Sequence, residues 1–438
     1  MRVLHKSLLI LWVSLFFAAS LQAAPTELRI HGSNTIGAEL MPVLAESWLK
    51  NKGYNNVSRK ELRLDELQLT GTNAAGDQLI VEIDSHGSST AFADLANGAT
   101  DIGMASRPIT PHEVKSLSGL GRLDDVKSEY VLGLDGVAVI VNPANALAKL
   151  DKTTLRKIFT GEIKDWSQVG GNAGPIHVLA RDDRSGTFDT FNHLVMDEKG
   201  NLAAGAKRFE SNVALSDGVA ADPAAIGFTG LAYVKKNRVV AISDGPTAIP
   251  PTAFSVATED YALSRRLFLY VPQKGEKSEL AKEFADFTVS DKGQRMIDQV
   301  GFISQEIRAE SAVYATDLPD EYKQFIKGAK RLSLNFRFTK GSANLDTKAQ
   351  RDMGRLVVYM KHEGNRQLML FGFSDSAEAL PMVALNLSSD RADTVADTLV
   401  HQGVSPARVR GYGSAAAVAS NDTEAGRIKN RRVEVWVR

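Results

Sequence analysis

Apolar residues recur along the chain at two spacings, and the switch between them marks out its elements. Leu28 and Ile30 flank Arg29 in a short strand-like run, and the polar turn Gly32-Ser33-Asn34-Thr35-Ile36-Gly37 follows. Leu40, Val43, Leu44 and Trp48 then recur at helical spacing up to Gly53, so the first unit reads strand, glycine turn, helix. A second polar loop, His86-Gly87-Ser88-Ser89-Thr90, precedes Phe92, Leu95 and Ala96, again at helical spacing. Up to about Ser304 short apolar runs keep alternating with helical patterns, which predicts an α/β fold. The strongly apolar runs 136–141 and 267–271 predict two strands passing between lobes, with a second lobe over about 142–264. That topology places a ligand in an interlobe cleft.

Beyond residue 308 the pattern changes. Residues 309–330 are charged and without a clear period, which predicts a linker or connecting helix. Leu332, Leu334, Phe336 and Phe338 alternate with Ser333, Asn335 and Arg337, as a half-buried strand does. Ala349, Met353, Leu356, Val357 and Met360 follow at helical spacing and stop before Gly364; residues 366–373 form another strand pattern. Ser388 or Ser389 is the expected cap of a helix carrying Ala392, Val395, Ala396 and Leu399, with Gly403 at its end. Val433, Val435 and Val437 alternate with Glu434 and Trp436, completing a β-α-β-α-β unit over residues 331–438.

The first residues change where this fold is expected to work. Arg2 and Lys6, an apolar run over 8–19 and the small-residue stretch Ala23-Ala24 before Pro25 predict a secretory signal over 1–24, cut near Ala23. No later stretch approaches the roughly 20 apolar residues that span a bilayer, so no transmembrane segment is expected in the mature chain. The absence of cysteine excludes disulfides, thiolate metal sites and a lipid-modified N-terminal Cys. With 52 Lys+Arg against 52 Asp+Glu, the balance argues against a nucleic-acid partner, which needs a broad basic surface. The 438 residues, 43% of them hydrophobic, are ample for two or three domains.

Candidate chemistry concentrates in Arg181-Asp182-Asp183-Arg184-Ser185-Gly186-Thr187, ahead of the helical pattern Phe188, Phe191, Leu194 and Val195. Fixed cations, hydroxyls and glycine-freed amides at a helix start suit a small oxyanion. A plain helix cap is the alternative for this motif alone. Two further hydroxyl-rich loops, at Ser33–Ile36 and Ser88–Thr90, point to the same chemistry.

In this order, and with the phrases Asp101-Ile102-Gly103-Met104-Ala105-Ser106-Arg107-Pro108, Ile158-Phe159-Thr160-Gly161-Glu162-Ile163-Lys164-Asp165-Trp166, Ala225-Ile226-Gly227-Phe228 and Lys292-Gly293-Gln294, residues 27–305 resemble the phosphate-binding periplasmic proteins of ABC transporters, a two-lobed type II solute-binding fold. The resemblance implies that Thr35 and the Ile36 amide, Ser88, Arg181, Ser185 and the amides of Gly186 and Thr187 contact phosphate, and that an ABC permease is a partner. Ser106 stands where the best-known members carry an Asp that accepts the proton of monohydrogen phosphate and excludes sulfate. Phosphate is therefore the leading ligand and a related oxyanion remains open, with Asp182 or Asp183 as substitute acceptor.

Residues 331–438 resemble the OmpA-like peptidoglycan-binding domain through Gly372-Phe373-Ser374-Asp375, Leu387-Ser388-Ser389-Asp390-Arg391-Ala392, Gly411-Tyr412-Gly413 and Asn430-Arg431-Arg432-Val433-Glu434-Val435. The resemblance implies that Asp375 pairs with the ammonium of diaminopimelate, that Arg391, in a helix's first turn, binds its carboxylate, and that Asn344, Ser374 and Arg432 add contacts. Phe373 replaces a usual His, the Gly after the Asp is missing, and Ala384 replaces a common Asn. A structural Asp375–Arg391 salt bridge is the alternative.

No G-x-S-x-G elbow, Walker-type loop or H-E-x-x-H occurs, and the eight His are scattered, so neither an enzyme nor a cofactor is expected. The expected function is binding of phosphate or a related oxyanion in the periplasm, with anchoring to peptidoglycan. The alternative is a cell-envelope scaffold or adhesion protein whose lobed domain no longer serves transport.

Overall fold

The computed structural model describes residues 26–438 apart from 184, 197–199, 312, 316, 365 and 379. The expected signal segment, and Arg184 of the turn 181–187, lie outside the described residues. Backbone pairing joins ten strands in one path: Asn56–Arg63, Glu66–Thr72, Gln78–Asp84, Thr26–Gly32, Ile102–Ala105, Ser264–Tyr270, Glu129–Val141, Ala225–Gly230, His177–Arg181 and Lys207–Phe209. Thr26–Gly32 runs parallel to both its neighbours and so ends in a crevice at its carboxyl edge, where Ser33 to Gly37 turn.

One strand unites the two lobes. Glu129–Val141 is buried at all 13 positions; its first half pairs with Ser264–Tyr270 and its second with Ala225–Gly230. Ser264 lies opposite Gly136, which marks the place where the chain returns to the first lobe. Each lobe has its own apolar core. One gathers Leu28, Ile30, Trp48 and Phe284; the other stacks Phe191 on Phe228 with ring centroids 4.0 Å apart.

The C-terminal sheet has the order Ala309–Glu310, Lys330–Arg337, Arg432–Val437, Leu368–Phe373, Arg408–Gly411, with helices Thr347–Glu363 and Pro381–His401 packed on one face over Leu332, Leu334, Phe336 and Val435. Three features differ from the sequence expectation. The stretch read as a linker or connecting helix does hold a helix, Asp320–Ile326, whose Tyr322 packs on Phe371, Phe373, Tyr412 and Trp436 and donates 2.5 Å to Glu434, but it also adds Ala309–Glu310 to the sheet edge, which was not expected. The last long helix begins at Pro381, not at Ser388 or Ser389, because Pro supplies a helix-compatible φ at N1. Arg391 therefore sits in mid-helix instead of the first turn.

The third difference decides how the domains meet. Lys330–Arg337 alternates apolar and polar residues, yet it is buried from Arg331 onward. Its polar face is covered by the lobed domain: Arg331 bonds Asp260 at 2.7 Å, Asn335 donates 2.7 Å to the Thr258 carbonyl, and Arg337 reaches Glu259 at 3.1 Å. Arg266 meets Glu259 and Asp346, each at 2.8 Å, and Lys429 donates 2.6 Å to the Tyr261 carbonyl. Burial alone would raise the Glu259 carboxyl, but Arg266 and Arg337 overcome it and hold it at about 2; burial pulls Lys429 down to about 8. The sheet face is thus an ionic interface in place of a solvated one.

Candidate functional site

Between the lobes lies a cavity of about 250 Å³ whose wall includes Thr35, Arg181, Ser185, Gly186, Thr187 and Tyr233. The turn after His177–Arg181 and the turn after Thr26–Gly32 meet here, so five of the eight residues expected at phosphate are brought together. Arg181 is 9% exposed and donates to the carbonyls of Phe209 (3.3 Å) and Glu210 (2.7 Å). Among the described residues no carboxylate lies within ion-pair distance of it. Burial pulls its pKa below the ordinary value against the pull of Asp182 and Glu39, though a guanidinium remains charged at any working pH. It is a desolvated cation outside any ion pair among the described residues, which leaves its free donors to a small anion.

Ser185 is the N-cap of Gly186–Phe191, its Oγ accepting from the Phe188 amide at 3.3 Å. The amides of Gly186 and Thr187 begin that helix and have no partner within it. Gly186 serves by its size: a Cβ there would stand 2.3 Å from the Thr35 Cα, so only glycine lets the two walls touch. Thr35 Oγ1 donates 3.1 Å to the Gly186 carbonyl.

Three expected positions fall elsewhere. Ile36 is a fully buried core residue, and its amide donates 3.2 Å to the Ser33 carbonyl, so that amide is engaged within its own turn. Ser88 and Ser106 do not line the cavity; with Ser33 they form a hydroxyl chain at 3.1 Å per link, and the Ser106 amide donates 3.0 Å to Ser88. Of the two candidate acceptors, Asp182 lines the cavity, whereas Asp183 is exposed and pairs with Arg208.

Sequence reasoning missed Arg265 and Asp135. They are register partners on antiparallel strands, bonded at 3.4 Å, and Arg265 also reaches Asp189 (3.2 Å), the Gly186 carbonyl (2.9 Å) and Thr35. The available signal was a lone acid inside the apolar run 130–141. Strand alternation sends Arg265 into the cleft while Arg266 faces the C-terminal domain.

The C-terminal candidates are arranged differently. Arg391 is fully buried and grips Glu378 in a bidentate pair at 2.7 and 2.8 Å, with Nε donating 3.1 Å to the Ser342 carbonyl. Burial pushes the Glu378 carboxyl up, but the Arg391 guanidinium wins and leaves it below its usual range. Asp375 pairs with Arg431 at 3.0 Å and accepts the Ala377 amide at 2.7 Å. The alternative Asp375–Arg391 bridge is therefore not formed. Arg432 turns to Glu434 at 2.8 Å, so Arg431 stands beside Asp375 in its place. Ser374 is buried with its hydroxyl unpartnered among the described residues, and Asn344 is exposed on the neighbouring turn. Glu378 carries no sequence signal, since only the loop's fold brings it to Arg391.

Fold and cleft define a two-lobed binding protein with a second domain docked on it. A family model described as a PBP superfamily domain matches residues 67–292, and one described as the OmpA family matches 337–431. The chain belongs to the PBP superfamily, as a PstS-like protein fused to a C-terminal OmpA-family domain. It is 32% identical over 315 residues to a phosphate-binding protein PstS of Staphylococcus haemolyticus, covering 70% of this chain and 85% of the relative. It is 31% identical over 298 residues to a phosphate-binding protein PstS of Staphylococcus saprophyticus, covering 63% and 89%. A solved structure of a possible phosphate binding protein from Planctomyces limnophilus shares the fold, with TM-score 0.53 and 24% identity over 69% of this chain and 97% of that one. No helix among the described residues is long and apolar enough to cross a membrane.

Proposed function

We propose that the lobed domain binds inorganic phosphate, or a related tetrahedral oxyanion, in the interlobe cavity. The observation that carries this reading is Arg181: a buried guanidinium in no ion pair among the described residues, beside Thr35, the amides of Gly186 and Thr187, and a glycine that lets the walls close. Each charge-assisted bond contributes about 1.5–3 kcal/mol, so a few suffice for micromolar affinity, which needs about 8 kcal/mol. Relatives named as phosphate-binding proteins support the choice of ligand. Titration calorimetry on the purified chain is the test. Heat with phosphate that Arg181→Ala abolishes supports the reading; no heat with phosphate, sulfate, arsenate, molybdate or tungstate overturns it. Competition between phosphate and sulfate across pH reads the selectivity.

The C-terminal domain is the proposed tether, holding the receptor to peptidoglycan in the periplasm through Arg391 and Asp375. Both are matched internally, by Glu378 and Arg431, so a stem peptide must displace those partners to bind. A tethered receptor concentrates or senses the anion near a permease more readily than it shuttles it. Growth at limiting phosphate after deletion from Arg331 onward tests that role. A second reading, an envelope scaffold whose lobed domain has left transport, draws on the carboxylates of Glu39, Asp65, Asp135, Asp182 and Glu210 on the same cavity wall. The calorimetric result decides between the two.

A further inference from the structure

Behind the serine chain, on the face of the sheet covered by the helix Ser88–Asn97, a nitrogen donor and carboxylates converge in a way the anion cleft does not use. Registers His31↔Asp84 and Glu66↔Asp84 set three side chains in a row across neighbouring strands, and Glu82, two residues before Asp84, shares their face. The His31 side chain is 8% exposed; its Nε2 lies 3.4 Å from Glu82 Oε1 and 3.5 Å from Asp84 Oδ2. Its Nδ1 is bonded to Asp94 of the covering helix at 2.9 Å.

These distances pose an electrostatic problem. If Nδ1–H donates to Asp94, a neutral ring turns the bare lone pair of Nε2 toward two carboxylates. If the ring is protonated, three carboxylates still surround one cation, leaving two negative charges in excess. Neighbouring cations do not solve it: Arg29 is bonded to Asp101 at 2.9 Å, and Arg63 approaches Glu66 only at 3.7 Å with its side chain 80% exposed. A dication does, because donors at about 2.0–2.1 Å from a tetrahedral zinc are separated by about 3.3–3.4 Å. A carboxylate on the far nitrogen of a ligating histidine is the usual outer-shell partner, and Asp94 occupies that place.

We propose that His31 Nε2, Glu82 and Asp84 form a divalent-cation site of zinc-like preference, oriented by Asp94 and completed by water. The mixed nitrogen and oxygen donors favour zinc over magnesium. His86 and Glu66, 3.3 Å apart and gathered around Asp84, provide outer ligands on the solvent side.

Calorimetric titration of the EDTA-stripped full chain with zinc chloride, in phosphate-free buffer, tests the site. The expected result is one equivalent bound in the micromolar range, a zinc-dependent rise in melting temperature, and at least tenfold weaker binding in both Asp84→Asn and Glu82→Gln. His31→Gln should remove the zinc-dependent rise altogether. Circular dichroism verifies that each variant is folded, and if one is not, the other two carry the test. Absence of zinc binding by the parent overturns the proposal. So does binding retained within twofold in the folded variants, or an equal rise with magnesium.

Discussion

Arg181 and Arg391 are both buried arginines aimed at a place where an acidic ligand is expected, and their surroundings are opposite. Among the described residues Arg181 donates to backbone carbonyls alone, while Arg391 is neutralised by a bidentate carboxylate of its own chain. The first arrangement leaves the guanidinium outside any ion pair among the described residues, with the carboxylates of Asp182, Glu39 and Glu210 farther off on the same wall, so an entering anion need not displace a bonded carboxylate. The second has already satisfied the cation, so a ligand must compete with Glu378. The same residue type is bonded to backbone carbonyls in one domain and held in a carboxylate pair in the other, and the difference lies in which carboxylate the tertiary fold delivers.

That contrast can be broken most directly in the C-terminal domain. Arg391→Ala should cost about 3–5 kcal/mol of stability in denaturant titration, because it strands Glu378 without a partner, and adding Glu378→Ala should restore much of the loss. A cost under about 1 kcal/mol would show that the pair is not structural. The ionic interface joining the two regions gives the next effect. Glu259 is held at about 2, below the usual carboxylate value, so its contribution is present above about pH 4.5 and is lost as pH falls toward 2. Unfolding free energy should drop by roughly 3 kcal/mol over that window. In Glu259→Gln the dependence should flatten.

In the cleft the expectation reverses. Arg181→Ala should weaken phosphate binding by about 100-fold, roughly 3 kcal/mol, while stability changes by less than about 1 kcal/mol, since no internal charge is stranded. Calorimetry paired with thermal melting separates the two quantities, and a large loss of stability would mean that Arg181 is structural after all. Glu378→Gln should weaken the hold on Arg391 and raise co-sedimentation with purified peptidoglycan several-fold; unchanged or reduced retention would place wall binding elsewhere. The smallest effect is expected from Ser106→Ala, which removes the middle hydroxyl of the Ser33–Ser106–Ser88 chain off the cavity wall and should shift anion affinity by less than about 1 kcal/mol in the same titration.

Much of the fold could be read from spacing alone. The strand, glycine turn and helix at residues 26–51, the second half of the strand 129–141 and, in the last hundred residues, the order of Lys330–Arg337, Thr347–Glu363, Leu368–Phe373, Pro381–His401 and Arg432–Val437 follow from local patterns that the chain carries within a few residues, whereas the short strand Arg408–Gly411 and helix Glu424–Asn430 carried too little apolar pattern to be read. The loops that meet at the interlobe cavity were readable for the same reason, since hydroxyls, an arginine and a glycine stand side by side in 181–187. Boundaries were less secure. Pro381 starts a helix that the serines at 388 and 389 suggested would begin a full two turns later, because a cap is recognisable only when the preceding residues are not helical.

The sequence by itself determined the element types, the two domains and the residue chemistry available to each, because those depend on neighbours along the chain. Only the tertiary structure decided which charges are free. Arg265 meets Thr35 across 230 positions and Arg331 meets Asp260 across 71, contacts that no local pattern encodes. The strand Lys330–Arg337 shows the limit plainly: its alternation of apolar and polar residues reads as one wet face, yet the lobed domain covers that face with Glu259 and Asp260. Polar residues buried against a partner of matching charge look the same in sequence as polar residues facing water, since the energetic difference is made by the partner.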